Sequence, residues 1–103
     1  MENRFECCKV LWRKRYRGKF SGMIRYAEAV IETRDGKLYY ADANIDLDAD
    51  VIIAVREVVK FDRETKEVKK KPGFVKINSK EWKYLKNLLL EERDGRGSED
   101  SNP

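Results

Sequence analysis

The dipeptide Asp35-Gly36, set between the β-formers Ile31-Glu32-Thr33 and Leu38-Tyr39-Tyr40, constrains this chain more than any other feature. Asp-Gly between strand residues is the strongest short-range mark of a β-hairpin, because both central positions of the tight turn favour positive φ. A hairpin here makes the sheet antiparallel. Residues 23 to 33 read two ways: Met23, Tyr26, Ala27, Val30 and Ile31 form a helical stripe, while the hairpin needs an extended arm. The hairpin favours strand.

Other strands follow from pattern. Residues 5 to 16 alternate, with Val10, Trp12, Lys14 and Tyr16 on one face and Leu11, Arg13, Arg15 and Arg17 on the other. The apolar run Val51-Ile52-Ile53-Ala54-Val55, continuing to Phe61, suits a central strand in the core of the sheet. A returning strand begins at Glu67, is interrupted by a bulge at Pro72-Gly73 and resumes over Phe74-Val75-Lys76-Ile77. Asn78 with Glu81 three residues on is a capping-box pattern, and Trp82, Leu85, Leu88 and Leu89 then share one helical face. The spacing predicts a helix over residues 79 to 92 with Gly95 as its stop. The fold class expected is α+β: a curved antiparallel sheet of four to five strands followed by a C-terminal helix.

With 103 residues there is room for one core. We place a single domain over residues 1 to 93 and an acidic disordered tail over residues 94 to 103. No apolar run spans a membrane and the start, MENRFECC, lacks the zones of a secretory signal, so a cytoplasmic, nucleoid-associated location with Cys7 and Cys8 reduced is expected. Charged residues make up 41%, and Gln is absent. That composition fits adaptation to high temperature; unfolding near about 50 °C would contradict it.

The chain has no His, which excludes Ser-His and Cys-His nucleophile pairs, an imidazole base and Cys/His zinc sites. Asp42, Asn44, Asp46, Asp48 and Asp50 are spaced faintly like a calcium loop. Leu47 replaces its turn glycine and Ile53 its closing glutamate, so a solvated acidic loop is the better interpretation. Glu64-Thr65-Lys66 and Glu67-Val68-Lys69 match the acid-x-Lys fragment of metal-dependent nucleases, a triplet that arises by chance in so charged a chain. No catalytic set stands out, and neither enzyme activity, a metal nor a cofactor is expected.

Charge is segregated. Residues 1 to 34 carry nine Lys/Arg against four Asp/Glu, residues 35 to 50 one against five, residues 51 to 86 eleven against five, and residues 87 to 103 two against five. Two basic blocks parted by an acidic one are the footprint of a polyanion binder, or of a solvated thermophilic surface. The first block interleaves Lys9, Arg13, Lys14, Arg15, Arg17 and Lys19 with Trp12, Tyr16 and Phe20. The cations suit phosphates, and the rings suit unpaired bases if they are not buried in the core. The second block, Lys66-Glu67-Val68-Lys69-Lys70-Lys71-Pro72-Gly73-Phe74-Val75-Lys76, either binds phosphate or protects an edge strand.

Over residues 51 to 92, Val55-Arg56-Glu57 ending an apolar strand, a polar hairpin, Lys71-Pro72-Gly73, and Asn78 to Leu85 with Glu81-Trp82 and Leu85-Lys86 resemble the positive cofactor four family of single-stranded DNA-binding transcriptional coactivators. The same features look like the ThermoDBP type of archaeal single-stranded DNA binder. The resemblance implies a curved sheet that grips single strands and a homodimer formed through the C-terminal helix. It assigns binding to Arg56, Lys69, Lys70, Lys71 and Lys76. Together with Trp12, Arg13, Lys14, Arg15, Tyr16, Arg17, Lys19 and Phe74 from the basic segments, these are the expected contacts to single-stranded DNA, with RNA as a further candidate. The alternative is a protein-interaction module whose basic face docks an acidic partner.

Overall fold

The computed structural model describes residues 2–91; the expected tail and the Gly95 stop lie outside them. Five antiparallel strands, β1 (Lys9–Arg17), β2 (Ile24–Glu32), β3 (Leu38–Ile45), β4 (Val51–Phe61) and β5 (Val68–Lys70), form one curled sheet in chain order, and α1 (Ser79–Leu90) follows. The chain is thus the expected α+β fold. Within residues 23 to 33 the chain is strand over Ile24–Glu32, and Met23, part of the helical stripe, lies outside the core at 66% exposure.

The Asp-Gly hairpin forms with a different turn. Gly36 donates to the Thr33 carbonyl (2.9 Å), Thr33 donates to the Lys37 carbonyl (2.9 Å), and of the two turn residues only Gly36 has positive φ, at 88°. This is a three-residue connection in which a turn is closed by one left-handed residue, rather than the two-residue turn expected. The β3–β4 connection repeats the pattern, with Ala49 in the left-handed position at φ 67°. There Asp46 turns its carboxylate onto the backbone amides of Asp48 and Asp50, each at 2.9 Å. The acidic loop is thereby closed on itself.

Alternation sorts the strands into two faces. Ala27, Ala29, Ile31, Tyr39, Ala41, Ala43 and Val55 point to the helix and join Leu85, Leu89 and Phe5 in the core. The small alanines let α1 approach the sheet, and burying each leucine contributes about 1.5 to 3 kcal/mol. The apolar run in β4 is not the buried centre that its composition predicts: Ile52 is 60% exposed and Val59 54%. β2 and β3 take that place, because β5 is only three residues long and leaves the first half of β4 near an edge.

β1 begins later than expected, at Lys9. Phe5 instead lies in a turn as a fully buried plug, edge-on to Tyr39 at 5.4 Å between ring centroids. The returning strand ends at Lys70 and does not resume as a ladder after Pro72. Lys71 donates to Glu57 and Val75 to Val55, so the same step takes four residues on one side and two on the other. Pro72 has no N–H and Gly73 sits at φ 88°, and the excess loops out.

The helix is held at both ends by arginines from the N-terminal segment. At its start the capping box forms as expected, Glu81 N–H to Asn78 Oδ1 and Asn78 N–H to Glu81 Oε1. Glu81 is also buried, and Arg4 meets it with Nε at 2.8 Å, Nη2 at 2.9 Å and its own backbone amide at 2.9 Å. At its end Arg13 donates to the Leu88 carbonyl (3.1 Å), and Arg15 to the carbonyls of Leu89 (2.6 Å) and Glu91 (3.0 Å). The last carbonyls of a helix have no partner within it and carry partial negative charge. The last turn of α1 contains no basic residue of its own, and β1 supplies the missing cations.

Candidate nucleic-acid interface

The sheet face turned away from α1 carries a row of rings. Trp12, Lys14 and Tyr16 come from β1, Tyr26, Glu28 and Val30 from β2, Tyr40 and Asp42 from β3, Ala54 and Arg56 from β4, and Lys70 from β5. Register brings them together: Lys14 lies opposite Glu28, Tyr16 opposite Tyr26, Val30 opposite Tyr40, Tyr40 opposite Arg56 and Val58 opposite Lys70. Val30 is flanked by Trp12 and Tyr40 on the neighbouring strands and is fully buried, so those two rings serve the fold as well as the face.

Glu28 orders the tyrosines. Its Oε2 accepts the Tyr16 hydroxyl at 2.6 Å and its Oε1 the Tyr40 hydroxyl at 2.5 Å, while Tyr26 and Tyr40 share a hydrogen bond at 3.1 Å. The bond to Glu28 keeps the Tyr16 proton in place, and its pKa is pushed up to about 12. Burial first, and the bond to Glu28 second, raise Tyr40 further. These hydroxyls stay protonated at any physiological pH.

Three cations lie against rings of this face: Lys14 Nζ is 5.2 Å from the Tyr16 centroid, Lys70 Nζ 4.0 Å from Tyr40, and Arg56 Cζ 4.5 Å from Phe74. Phe74 is 67% exposed and Tyr16 40%, so neither is a core residue. Phe20, at the β1–β2 turn, is 97% exposed.

The sequence-predicted contacts divide accordingly. Trp12, Lys14, Tyr16, Arg56, Lys70 and Phe74 gather on the open face. Arg13 and Arg15 point to the other side, and their guanidinium groups hold the helix end, because they lie opposite the core residues Ala29 and Ala27. A bulge between Val10 and Trp12 puts Val10 opposite Ile31 on that side too, not on the face of Trp12, Lys14 and Tyr16 as simple alternation predicts. Arg17 donates to the Gly22 carbonyl at 2.9 Å and ties the β1–β2 turn, where Lys19 is exposed. Lys69 alternates away from Lys70 and lies opposite Lys60, while Lys71 pairs with Glu57 at 3.0 Å. Lys76 lies beside Arg4, Asn78 and Glu81 at the helix start, away from the rings. Sequence reasoning missed Tyr26, Glu28 and Tyr40; their alternate spacing along strands was the one sign available.

Among the described residues no group of three Asp, Glu, Cys or His is placed to hold a metal, and no helix is long and apolar enough to cross a membrane. Cys7 and Cys8 are free thiols, Cys8 half-buried. Comparison with protein-family models, curated proteins and solved structures finds no match in any of the three.

Proposed function

We propose that this chain binds single-stranded nucleic acid, DNA first, chiefly through stacking and phosphate contacts that tolerate most sequences, in transcription or genome maintenance at the nucleoid. The observation that carries this reading is the pair of exposed rings with cations against them, Tyr16 beside Lys14 and Phe74 beside Arg56, on the sheet face that the helix leaves open, where Lys70 also lies over Tyr40, a ring only 6% exposed. Bases stack on rings of any sequence context, and cations beside the rings meet the phosphates that follow. The resemblance to the positive cofactor four and ThermoDBP types supports the same ligand class.

The homodimer proposed with it rests on less apolar surface than the sequence suggests. Leu85 and Leu89 are spent on the chain's own core, which leaves Trp82 and Leu88, both part-exposed, with Lys86 5.5 Å from the Trp82 ring.

Phe74 gives the cleanest test, since it is exposed and its loss costs the fold little. With labelled oligothymidylate followed by fluorescence anisotropy, Phe74→Ala is expected to weaken binding by about 1 to 3 kcal/mol, or roughly 5- to 150-fold, with the melting temperature unchanged. Wild-type protein that leaves the oligomer free at high micromolar concentration would contradict the reading.

A further inference from the structure

The open face is not uniformly basic. Its cations, Lys14 on β1 and Arg56 and Lys70 on β4 and β5, lie toward the two sides, while the carboxylates Glu28 and Asp42 occupy the middle strands, opposite one another in the register. Phosphates are drawn to the sides and repelled from the middle, so a strand crossing this face turns its bases inward. The two carboxylates then differ. Both oxygens of Glu28 are taken by tyrosine hydroxyls. Asp42 is half-buried and has one such partner, the Tyr26 hydroxyl, which leaves it lone pairs to spare, and on β4 its cross-strand neighbour is only Ala54. A methyl group there, between the longer Ile52 and Arg56, leaves room beside Asp42 for a flat ring. Burial and, less strongly, the like charge of Glu28 push the Asp42 carboxyl up, while the Tyr26 hydroxyl, Lys70 and Arg56 favour its charged form.

Resting on the single-strand reading above, we propose that Asp42 selects guanine, its carboxylate accepting the paired N1–H and N2 amino donors of a base seated over Ala54. Guanine is the one base with two adjacent donors on its pairing edge. Adenine and cytosine set an acceptor nitrogen next to the amino group, and thymine sets a carbonyl on each side of its N–H; both arrangements turn a lone pair toward the carboxylate. The face therefore tolerates most sequence by stacking and discriminates at one position.

The test uses labelled oligothymidylates with one central guanine, hypoxanthine, adenine or cytosine. Wild-type protein should bind the guanine oligomer about tenfold more tightly than plain oligothymidylate, and hypoxanthine, which lacks the N2 amino group, should lose most of that gain. Asp42→Asn should bring the guanine-to-thymine ratio close to one. Ala54→Leu, which fills the space and keeps the carboxylate in the chain, should do the same and covers the case in which Asp42→Asn fails to fold. Equal wild-type affinities for all four oligomers would overturn the guanine assignment and leave single-strand binding standing. A ratio that survives in both variants would also overturn it, and no binding to any oligomer would remove both.

Discussion

Replacing Lys14, Arg56 and Lys70 together by Ala should lower the salt dependence of single-strand binding by about two, since each phosphate contact contributes roughly 0.7 to the slope of log K against log salt. At about 0.1 M salt that corresponds to a loss of roughly a hundredfold in affinity. The matched control is Lys60 and Lys69, which lie directly opposite one another across β4 and β5 and alternate away from the ring face. Like charges in that position are destabilising, so their joint replacement by Ala should raise stability by about 0.2 to 1 kcal/mol. It should leave the salt slope close to that of the wild type. Equal slopes for the two variants, measured by anisotropy at three or more salt concentrations, would place the phosphates elsewhere.

The second large effect concerns the helix clasp. Arg4 beside Glu81 holds that carboxyl down at about 2, against 4.5 for an unperturbed glutamate. A carboxyl with a depressed folded-state pKa stabilises the protein above its unfolded pKa. That stability is lost as the pH falls through the folded value. For Glu81, with a side chain 1% exposed, the contribution is about 3 kcal/mol, present above about pH 4.5 and withdrawn on approaching pH 2. Urea unfolding of the wild type against Glu81→Gln should show this difference in slope between pH 5 and pH 2, with the variant the flatter of the two. Arg4→Ala leaves Glu81 buried without its cation. It should cost somewhat less than the 3 to 5 kcal/mol usual for breaking a buried pair, because the Arg4 side chain stays 39% exposed. Parallel pH profiles for wild type and Glu81→Gln would contradict the clasp.

The clasp also shows what the sequence reveals and what it hides. The antiparallel hairpins, the capping box at Asn78 and Glu81, and the helix beginning at Ser79 are local, written in turn residues and periodicity a few positions apart. The alternation of β1 likewise separates Arg13 and Arg15 from Lys14 and Tyr16. It does not say which face a helix more than sixty residues later will cover. Hence the most basic stretch of the chain looks like one binding segment, while two of its three arginines, Arg13 and Arg15, secure the helix. Arg4 and Glu81 are 77 positions apart and find each other only after the sheet has formed. The ring row is hidden for the same reason. Tyr40 meets Arg56 through a register fixed by the three-residue turn at Ala49, a residue that does not ordinarily mark a left-handed position. The run from Val51 to Val55 misleads in the other direction, because apolar composition suits a buried strand and cannot tell that the strand beside it will be only three residues long.

The measurement that bears most directly on the central claim is a titration of the full chain with labelled single-stranded DNA, duplex DNA of the same sequence, single-stranded RNA and an acidic peptide, each at two salt concentrations. The account predicts tight, salt-dependent binding to the single strands, weaker binding to the duplex, whose bases cannot reach the rings, and little to the peptide. Binding to the acidic peptide with none to either single strand would contradict it and identify the basic surface as a protein-docking face instead.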